Sequence, residues 1–293
     1  MPEVLNIGSL NIDRVLRVPD IARPGQTIAA TSGALFPGGK GANQSVALAR
    51  AGAAVRHVGR VGHDGRWLVE RLADAGVQTD GIVIDPRMQT GQAVIQVADS
   101  GQNSIVIDAA ANGGITDRQI DEAIAAASPG DVLVLQNETS GVAHAIEAAA
   151  AAGLIVALNP APMSEAVHRY PLGKVSWLIV NEDEGAALAG VDDPRQIVDE
   201  LTLRHGAAVV LTRGGSGVVC RQGEQYFEQP AFAVEAVDTT AAGDTFVGYF
   251  VASLVERRPI DQALRRAAKA ASLSVTRAGA IDSVPTAAEV DAG

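Results

Sequence analysis

Residues 131–158 read DVLVLQNETSGVAHAIEAAAAAGLIVAL, and three elements can be cut from them. Asp131–Gln136 is a short apolar run, Gly141–Ala152 is an alanine-rich helix stopped by Gly153, and Leu154–Leu158 is a second run. A strand that is apolar at nearly every position is buried on both faces, which is the habit of parallel sheets packed between helices. The same unit recurs on both sides of this stretch. Val4–Ser9, Trp177–Val180 and Ala207–Leu211 read as further strands, and Gly41–Ala51 reads as a helix that buries Val46, Ala47 and Leu48. Near the C-terminus, Ala241–Val255 and Asp261–Arg277 are two long helices split by Arg257-Arg258-Pro259. The expected fold class is α/β, with a mainly parallel central sheet covered on both faces.

Two regions break the rhythm. Asn11–Pro37 holds extended segments and no good helix, and Gly81–Asp108 alternates through Ile82-Val83-Ile84, Ala93–Val97 and Ser104–Ile107, with a turn at Asp99–Gln102. These segments, about 11–37 and 81–108, are expected to form a small sheet outside the main one, able to close over a site as a lid.

Composition narrows the function. Of 293 residues, 47% are hydrophobic, 19% charged and only 3% aromatic, so the chain has material for a large aliphatic core. A net charge of −11 repels nucleic acid and anionic lipid, so neither is an expected partner. Cys220 is the single cysteine, which excludes an internal disulfide and a thiolate metal cluster and leaves it as a small buried residue. The N-terminus, Met1-Pro2-Glu3-Val4, has no basic or long apolar leader, and no run of about 20 apolar residues follows. The expectation is a soluble, cytoplasmic protein.

Several short stretches carry candidate chemistry. Ala241-Ala242-Gly243-Asp244 opens a helix, and its small residues let backbone N–H groups approach an anion at the positive end of the helix dipole. Asp244 stands beside that receptor as a proton acceptor, or else as a carboxylate that merely stabilises the helix start. Gly38-Gly39-Lys40-Gly41-Ala42-Asn43-Gln44 fits neither a Walker A loop nor a dinucleotide fingerprint. It leaves a glycine-lined backbone with Lys40 and Asn43 as donors, or a plain turn and cap. In Gly8–Asp13, Asn11 and Asp13 sit two apart and share one face of an extended chain, placed to hold hydroxyls or simply to solvate a loop.

Asn181-Glu182-Asp183-Glu184 spells a capping box, with the alternative that these groups organise Mg²⁺ and phosphate oxygens. Glu138 follows the strand ending at Gln136, at the carboxyl end where open α/β sheets bind ligands. Thr212-Arg213-Gly214-Gly215-Ser216-Gly217 is a glycine loop suited to a nucleotide or to a hairpin turn. The five histidines have no metal-ligand spacing, and no Gly-x-Ser-x-Gly elbow occurs.

Taken in order, Gly8–Asp13, Gly38–Gln44, Leu158–Pro162, Asn181–Glu184, Val237–Phe246 and Val275–Ala280 resemble the ribokinase-like (phosphofructokinase B type) carbohydrate kinases over nearly the whole chain. The resemblance implies one kinase domain over residues 1–293, a three-layer sandwich with a β-sheet lid that often serves dimerisation, and hence a homodimer. It implies transfer of the ATP γ-phosphate to a primary sugar hydroxyl, with D-ribose to D-ribose 5-phosphate as the leading expectation. Fructose, deoxyribose or 2-keto-3-deoxygluconate kinases, and a sugar-binding regulator without turnover, are the alternatives.

By the same resemblance, Asn11, Asp13, Gly39, Lys40, Asn43 and Glu138 hold the sugar, and Asp244 is the base. Ala241, Ala242 and Gly243 supply the anion hole, and Asn181 and Glu184 serve phosphate and Mg²⁺. Thr212, Gly214, Gly215 and Gly217 line the nucleotide site. Asp238, Thr240, Ser274, Arg277, Gly279 and Ser283 match positions around a monovalent cation, usually K⁺. Ala268 departs from the Asn or His usual near adenine, and Arg213 replaces an apolar residue.

Overall fold

The computed structural model describes residues 2–292, so the two ends of the expected 1–293 span lie outside the described residues. Its first third runs β1 (Val4–Ile7), β2 (Asn11–Val18), β3 (Ser32–Gly38), α1 (Lys40–Arg50), β4 (Val55–Val61), α2 (Arg66–Asp74), β5 (Gln78–Ile84), β6 (Gly91–Ala98) and β7 (Asn103–Asp108). The middle adds α3 (Asp117–Ala125), β8 (Val132–Gln136), α4 (Val142–Ala151), β9 (Ile155–Asn159), β10 (Trp177–Asn181), α5 (Glu182–Ala189), α6 (Pro194–His205) and β11 (Ala208–Thr212). The chain closes with β12 (Val218–Gln222), β13 (Gln225–Gln229), α7 (Ala242–Val255), α8 (Ile260–Ser274) and α9 (Ala287–Asp291).

The large sheet has nine strands in the order β13-β12-β11-β10-β9-β8-β1-β4-β5. Pairing is parallel from β11 through to β5, and the pairs β11–β12 and β12–β13 at the other edge are antiparallel, so β12 runs opposite to the rest. Alternate residues of a strand feed two separate cores, as the pleat requires. Val132 and Val134 pack with α1, α2, α7 and α8, whereas Leu133 and Leu135 pack with α3, α4, α5 and α6. The result is the expected three-layer arrangement. Cys220 lies in the first of these cores, where burial pushes its thiol up to about 12.

The second sheet has four strands, β3-β2-β6-β7, all drawn from the two rhythm-breaking regions. One part of the sequence expectation is corrected. Ile82-Val83-Ile84 does not join this sheet: it completes β5, which follows α2 and pairs parallel with β4 at the edge of the large sheet. The α2 crossover returns the chain to the main sheet, and the small sheet starts again only at Gly91. No helix among the described residues is long and apolar enough to cross a membrane.

Strand order and sequence order part company around β1, whose neighbours are β4 and β8. That discontinuity opens a crevice at the carboxyl ends of the parallel strands, the usual ligand position in an open α/β sheet. Every polar cluster picked out above follows one of those ends or lies on the loops facing them.

Candidate active site

The site is assembled by two helices that lie unusually close. On α7, Gly248 has no Cβ, and one placed there would come within 2.4 Å of the Ala47 Cβ on α1. One turn earlier on both helices, the same approach brings Asn43 and Gln44 to Asp244. Asn43 Nδ2 donates to Asp244 Oδ2 at 2.9 Å, and Gln44 Nε2 donates to Asp244 Oδ1 at 2.9 Å. Aromatic packing seats α7 on the sheet: Trp177 meets Phe250 edge-on at 5.2 Å, and Phe246 stacks over Phe250 at 6.1 Å.

Asp244 is 5% exposed, in the first turn of α7. Ala241 stands just ahead of the helix in the left-handed region, with φ 58°, and no side chain caps the helix start. The Ala242 N–H reaches Thr239 O at 3.3 Å, a long bond. Backbone donors at the head of a helix need an acceptor from outside it, and here the first turn lines a cavity instead.

Across from Asp244, the β1–β2 and β3–α1 turns cross. Gly39 has φ 93°, and a Cβ there would press within 2.9 Å of both the Asn11 N and the Ser9 O. Glycine is therefore required, and the turn carries Lys40 into the crevice at the start of α1. Glu138, two residues past β8, accepts the Lys40 N–H at 3.0 Å and the Ser9 hydroxyl at 2.5 Å. Asn11 and Asp13 lie on β2, facing the same space. Asn11 is fixed through its Oδ1, which accepts from Asn112 Nδ2 at 2.7 Å, while Asn112 Oδ1 accepts the Leu10 N–H at 3.0 Å.

Three carboxylates, Asp244, Glu138 and Glu184, thus act on one ammonium. The Asp244 charge, backed by Glu138 and Glu184, holds the Lys40 ammonium above its usual range against the opposing effect of burial. Burial raises the Glu138 and Glu184 carboxyls. Asp13 is pushed up to about 7, first by burial and then by the charges of Glu138 and Asp244.

A raised carboxyl binds its proton more tightly folded than unfolded, so stability falls as pH climbs from about 4 towards 7. Asp13→Asn is therefore expected to melt several degrees higher than the parent at pH 8 and to converge with it near pH 4. Parallel melting curves at both pH values would show that Asp13 carries no such cost.

The opposite wall comes from β10 and β11. The capping box at Asn181 is complete: Asn181 Oδ1 accepts the Glu184 N–H at 2.8 Å, and Glu184 Oε2 accepts the Asn181 N–H at 3.0 Å. Capping and ligand binding are not exclusive here, because the box uses one side-chain oxygen of each residue. Both residues, with Lys40, Thr212 and Ala241 to Asp244, line a cavity of about 260 Å³. It shares Thr212, Thr239, Ala242 and Gly243 with a cleft of about 540 Å³ lined by Gly214, Gly215, Gly217, Phe232, Ala268 and Val275. The glycine loop of the sequence is the β11–β12 turn that floors this larger cleft, and Ala268 is on its wall. Arg213 is paired with Glu182 at 3.4 Å.

The last predicted cluster is brought together in part. Asp238 bridges two loops, with Oδ1 accepting the Thr240 N–H and Oδ2 the Gly279 N–H, each at 2.9 Å. Ser274 and Ser283 hydroxyls are spent on Ala271 O and Ala280 O, and the Arg277 guanidinium on Glu289 at 2.5 Å. Gln44, Asn112 and Ser9 are site residues that sequence reasoning did not single out. Gln44 and Ser9 sat inside the quoted motifs, and only the Asn112-Gly113-Gly114 turn hinted at the other.

The sequence pattern of the pfkB family carbohydrate kinases matches residues 1–287. A ribokinase of Haemophilus influenzae is 38% identical over 97% of this chain and 95% of its own length. The crystal structure of a Cryptococcus neoformans ribokinase in complex with ADP superposes with a TM-score of 0.86 at 35% identity, covering 100% and 99% of the two chains. The structure of Arabidopsis thaliana ribokinase complexed with ribose and ATP gives 0.87 at 32% identity, covering 99% and 98%.

Proposed function

The chain belongs to the pfkB family of carbohydrate kinases, and from that premise we propose that it transfers the γ-phosphate of ATP to the primary hydroxyl of D-ribose, giving D-ribose 5-phosphate and ADP. One observation carries the reading: a buried carboxylate, Asp244, lines the polar cavity from the first turn of an uncapped helix whose Ala242 and Gly243 also line the larger cleft. The larger cleft takes the nucleotide, the polar cavity with Asn181 and Glu184 takes the transferring phosphoryl group, and the sugar lies on the Asn11, Asp13 and Glu138 side of Lys40 and Asp244. Relatives and solved structures named for ribose, ATP and ADP support that pairing.

In this reading Asn11, Asp13, Lys40, Asn43 and Glu138 hold the sugar hydroxyls, with Gly39 making room for them. Asp244 accepts the hydroxyl proton as the oxygen forms its bond to the γ-phosphorus, and the bond to the β–γ bridging oxygen breaks to release ADP. The backbone of Ala241, Ala242 and Gly243 meets the phosphoryl oxygens, where fixed donors act on charge spread over the transition state. The small β3-β2-β6-β7 sheet acts as a lid that keeps water from the phosphoryl group.

Among the described residues no group of three or more His, Cys, Asp or Glu side chains forms a metal cage. The spare oxygen of Glu184 and the Asn181 amide fit the way Mg²⁺ is usually held, through water and phosphate oxygens with few protein ligands. Mg²⁺ would supply charge neutralisation on the phosphates. For K⁺, the bridged loops at Asp238 and Gly279 offer carbonyls next to the head of α7. Turnover that is unchanged when tetramethylammonium replaces K⁺ would remove it from the scheme.

Leu35, Phe36, Ile105, Val106 and Ile107 of the small sheet are between 43% and 65% exposed, which supports a homodimer through the lid. A monomer in sedimentation at micromolar concentration would exclude that assembly. A cytoplasmic location follows from dependence on ATP, and cell fractionation tests it.

The deciding experiment is a coupled ADP-release assay on D-ribose, 2-deoxy-D-ribose, D-fructose and 2-keto-3-deoxygluconate. D-Ribose is expected to lead in kcat/KM by about tenfold or more, because unpaired site groups penalise a sugar that lacks a hydroxyl. A different leader reassigns the sugar. Sugar binding with no ADP formed in Mg²⁺ and K⁺ overturns the kinase reading in favour of a regulator.

A further inference from the structure

We propose that Gln44 is a positioning residue for Asp244, setting the direction of its carboxylate through an amide chain anchored in the sheet. The proposal rests on Asp244 being the base. Gln44 is 0% exposed and its amide is held at both ends by protein groups, so it acts on the reaction only through another group. Its Nε2 donates to Asp244 Oδ1 at 2.9 Å and to Asn159 Oδ1 at 3.1 Å, and its Oε1 accepts from Gln136 Nε2 at 2.7 Å. Both ends of the amide are therefore held.

The anchors are themselves fixed at strand ends. Asn159, the last residue of β9, donates to Ile179 O of β10 at 3.0 Å. Gln136, the last residue of β8, also donates to Asn6 Oδ1 of β1 at 3.1 Å, and Asn6 Nδ2 donates to Gly41 O at 2.9 Å and Ser45 Oγ at 2.7 Å. The carboxylate is thereby referenced to the rigid carboxyl edge of the parallel sheet. Asn43, the other donor to Asp244, differs: its buried Oδ1 has no hydrogen-bond partner among the described residues. Asn43 thus keeps one amide atom uncommitted, while both ends of the Gln44 amide are held.

The need for such a device is geometric. A carboxylate turns about a terminal torsion with broad, shallow minima, so side-chain packing alone does not decide which lone pair faces the sugar. Hydrogen bonds must, and catalytic geometry tolerates little error. Every link from Gln44 through Gln136 to Asn6 is an amide, which does not titrate. The chain orients the base without taking the proton, which stays on Asp244.

The test is steady-state kinetics on Gln44→Met, Asp244→Asn and the double variant, in the full-length protein. Gln44→Met is expected to lower kcat about 10²-fold with the sugar KM shifted less than about threefold. In the Asp244→Asn background the same change is expected to cost less than about threefold more, because residues acting as a unit are not additive. A parent-like kcat in Gln44→Met overturns the proposal, as does a loss confined to KM or an equal loss in both backgrounds. Full turnover by Asp244→Asn alone would instead overturn the assignment of the base. Should Gln44→Met fail to fold, Gln44→Glu keeps the acceptor for Gln136 and replaces the donor with a carboxylate oxygen that repels Asp244; parent-like kcat there is equally fatal.

Discussion

Asp244→Asn is expected to lower kcat by about 10²–10⁴-fold, the range a positioned general base contributes, while the sugar still binds. The variant is nearly isosteric but not neutral in its surroundings. Both carboxylate oxygens of Asp244 accept amide N–H bonds, from Asn43 and Gln44, and asparagine has only one oxygen to offer. One donor will face another donor, at a cost of about 1–3 kcal/mol for a buried group left unpaired. Against that, the lost charge relieves Asp13 and Glu138, whose carboxyls Asp244 helps to raise. Melting curves and sugar titrations on the same samples separate these effects from chemistry. If kcat stays within about tenfold of the parent in a folded, sugar-binding variant, Asp244 is not the base.

The fold was legible wherever burial is two-sided. Up to their last residues, Val132–Gln136 and Ala208–Thr212 are apolar without interruption because helices cover both faces of the sheet, so the amino-acid run alone reports the environment. Ile82–Ile84 was misplaced for a different reason. A half-exposed edge strand and a hairpin strand share the same alternation, and what distinguishes them is the partner, β4, reached through the α2 crossover. Pairing is a property of the folded chain and leaves no local mark on three residues.

The candidate site divides along similar lines. Residues that need special backbone, such as Gly39 with its positive φ, or that carry charge into a crevice, such as Lys40 and Asp244, stand out in sequence. Asn181 and Glu184 also stood out, although by their pattern a cap and a phosphate site look the same. Their geometry shows how one pair has oxygen and amide to spare after the cap is made. The residues that were missed are neutral. Gln44 reaches Asp244 across 200 positions, Ser9 reaches Glu138 across 129, and Asn112 reaches Asn11 across 101. Amide and hydroxyl groups in apolar surroundings announce nothing until the fold supplies their partners, because a buried polar group is explained only by what it bonds.

Lys40→Met is expected to cost about 10²–10³-fold in kcat/KM, comparable to the loss of a fixed donor at a site of developing charge. Lys40 is held by the charges of Asp244, Glu138 and Glu184. Its charge lowers the carboxyls of Glu138 and Glu184, which burial otherwise raises. Methionine keeps the length and apolar stem of the side chain, so the main change is the charge, and the turn at Gly39 that presents it is left in place. Without the ammonium, Glu138 and Glu184 rise further, and proton uptake extends to higher pH. Two observable consequences follow from that shift. The melting temperature of the variant is expected to fall more steeply than that of the parent between pH 6 and 8, because the folded state then gains more from protons that alkaline solution withdraws. Sugar and nucleotide affinity are both expected to weaken, since a crevice of unopposed carboxylates repels triphosphate as well as losing a donor to the sugar. A fall in sugar affinity alone, with the nucleotide KM and the pH slope unchanged, would mean that Lys40 serves only as a hydrogen-bond donor and that the carboxylates are neutralised by something other than this side chain.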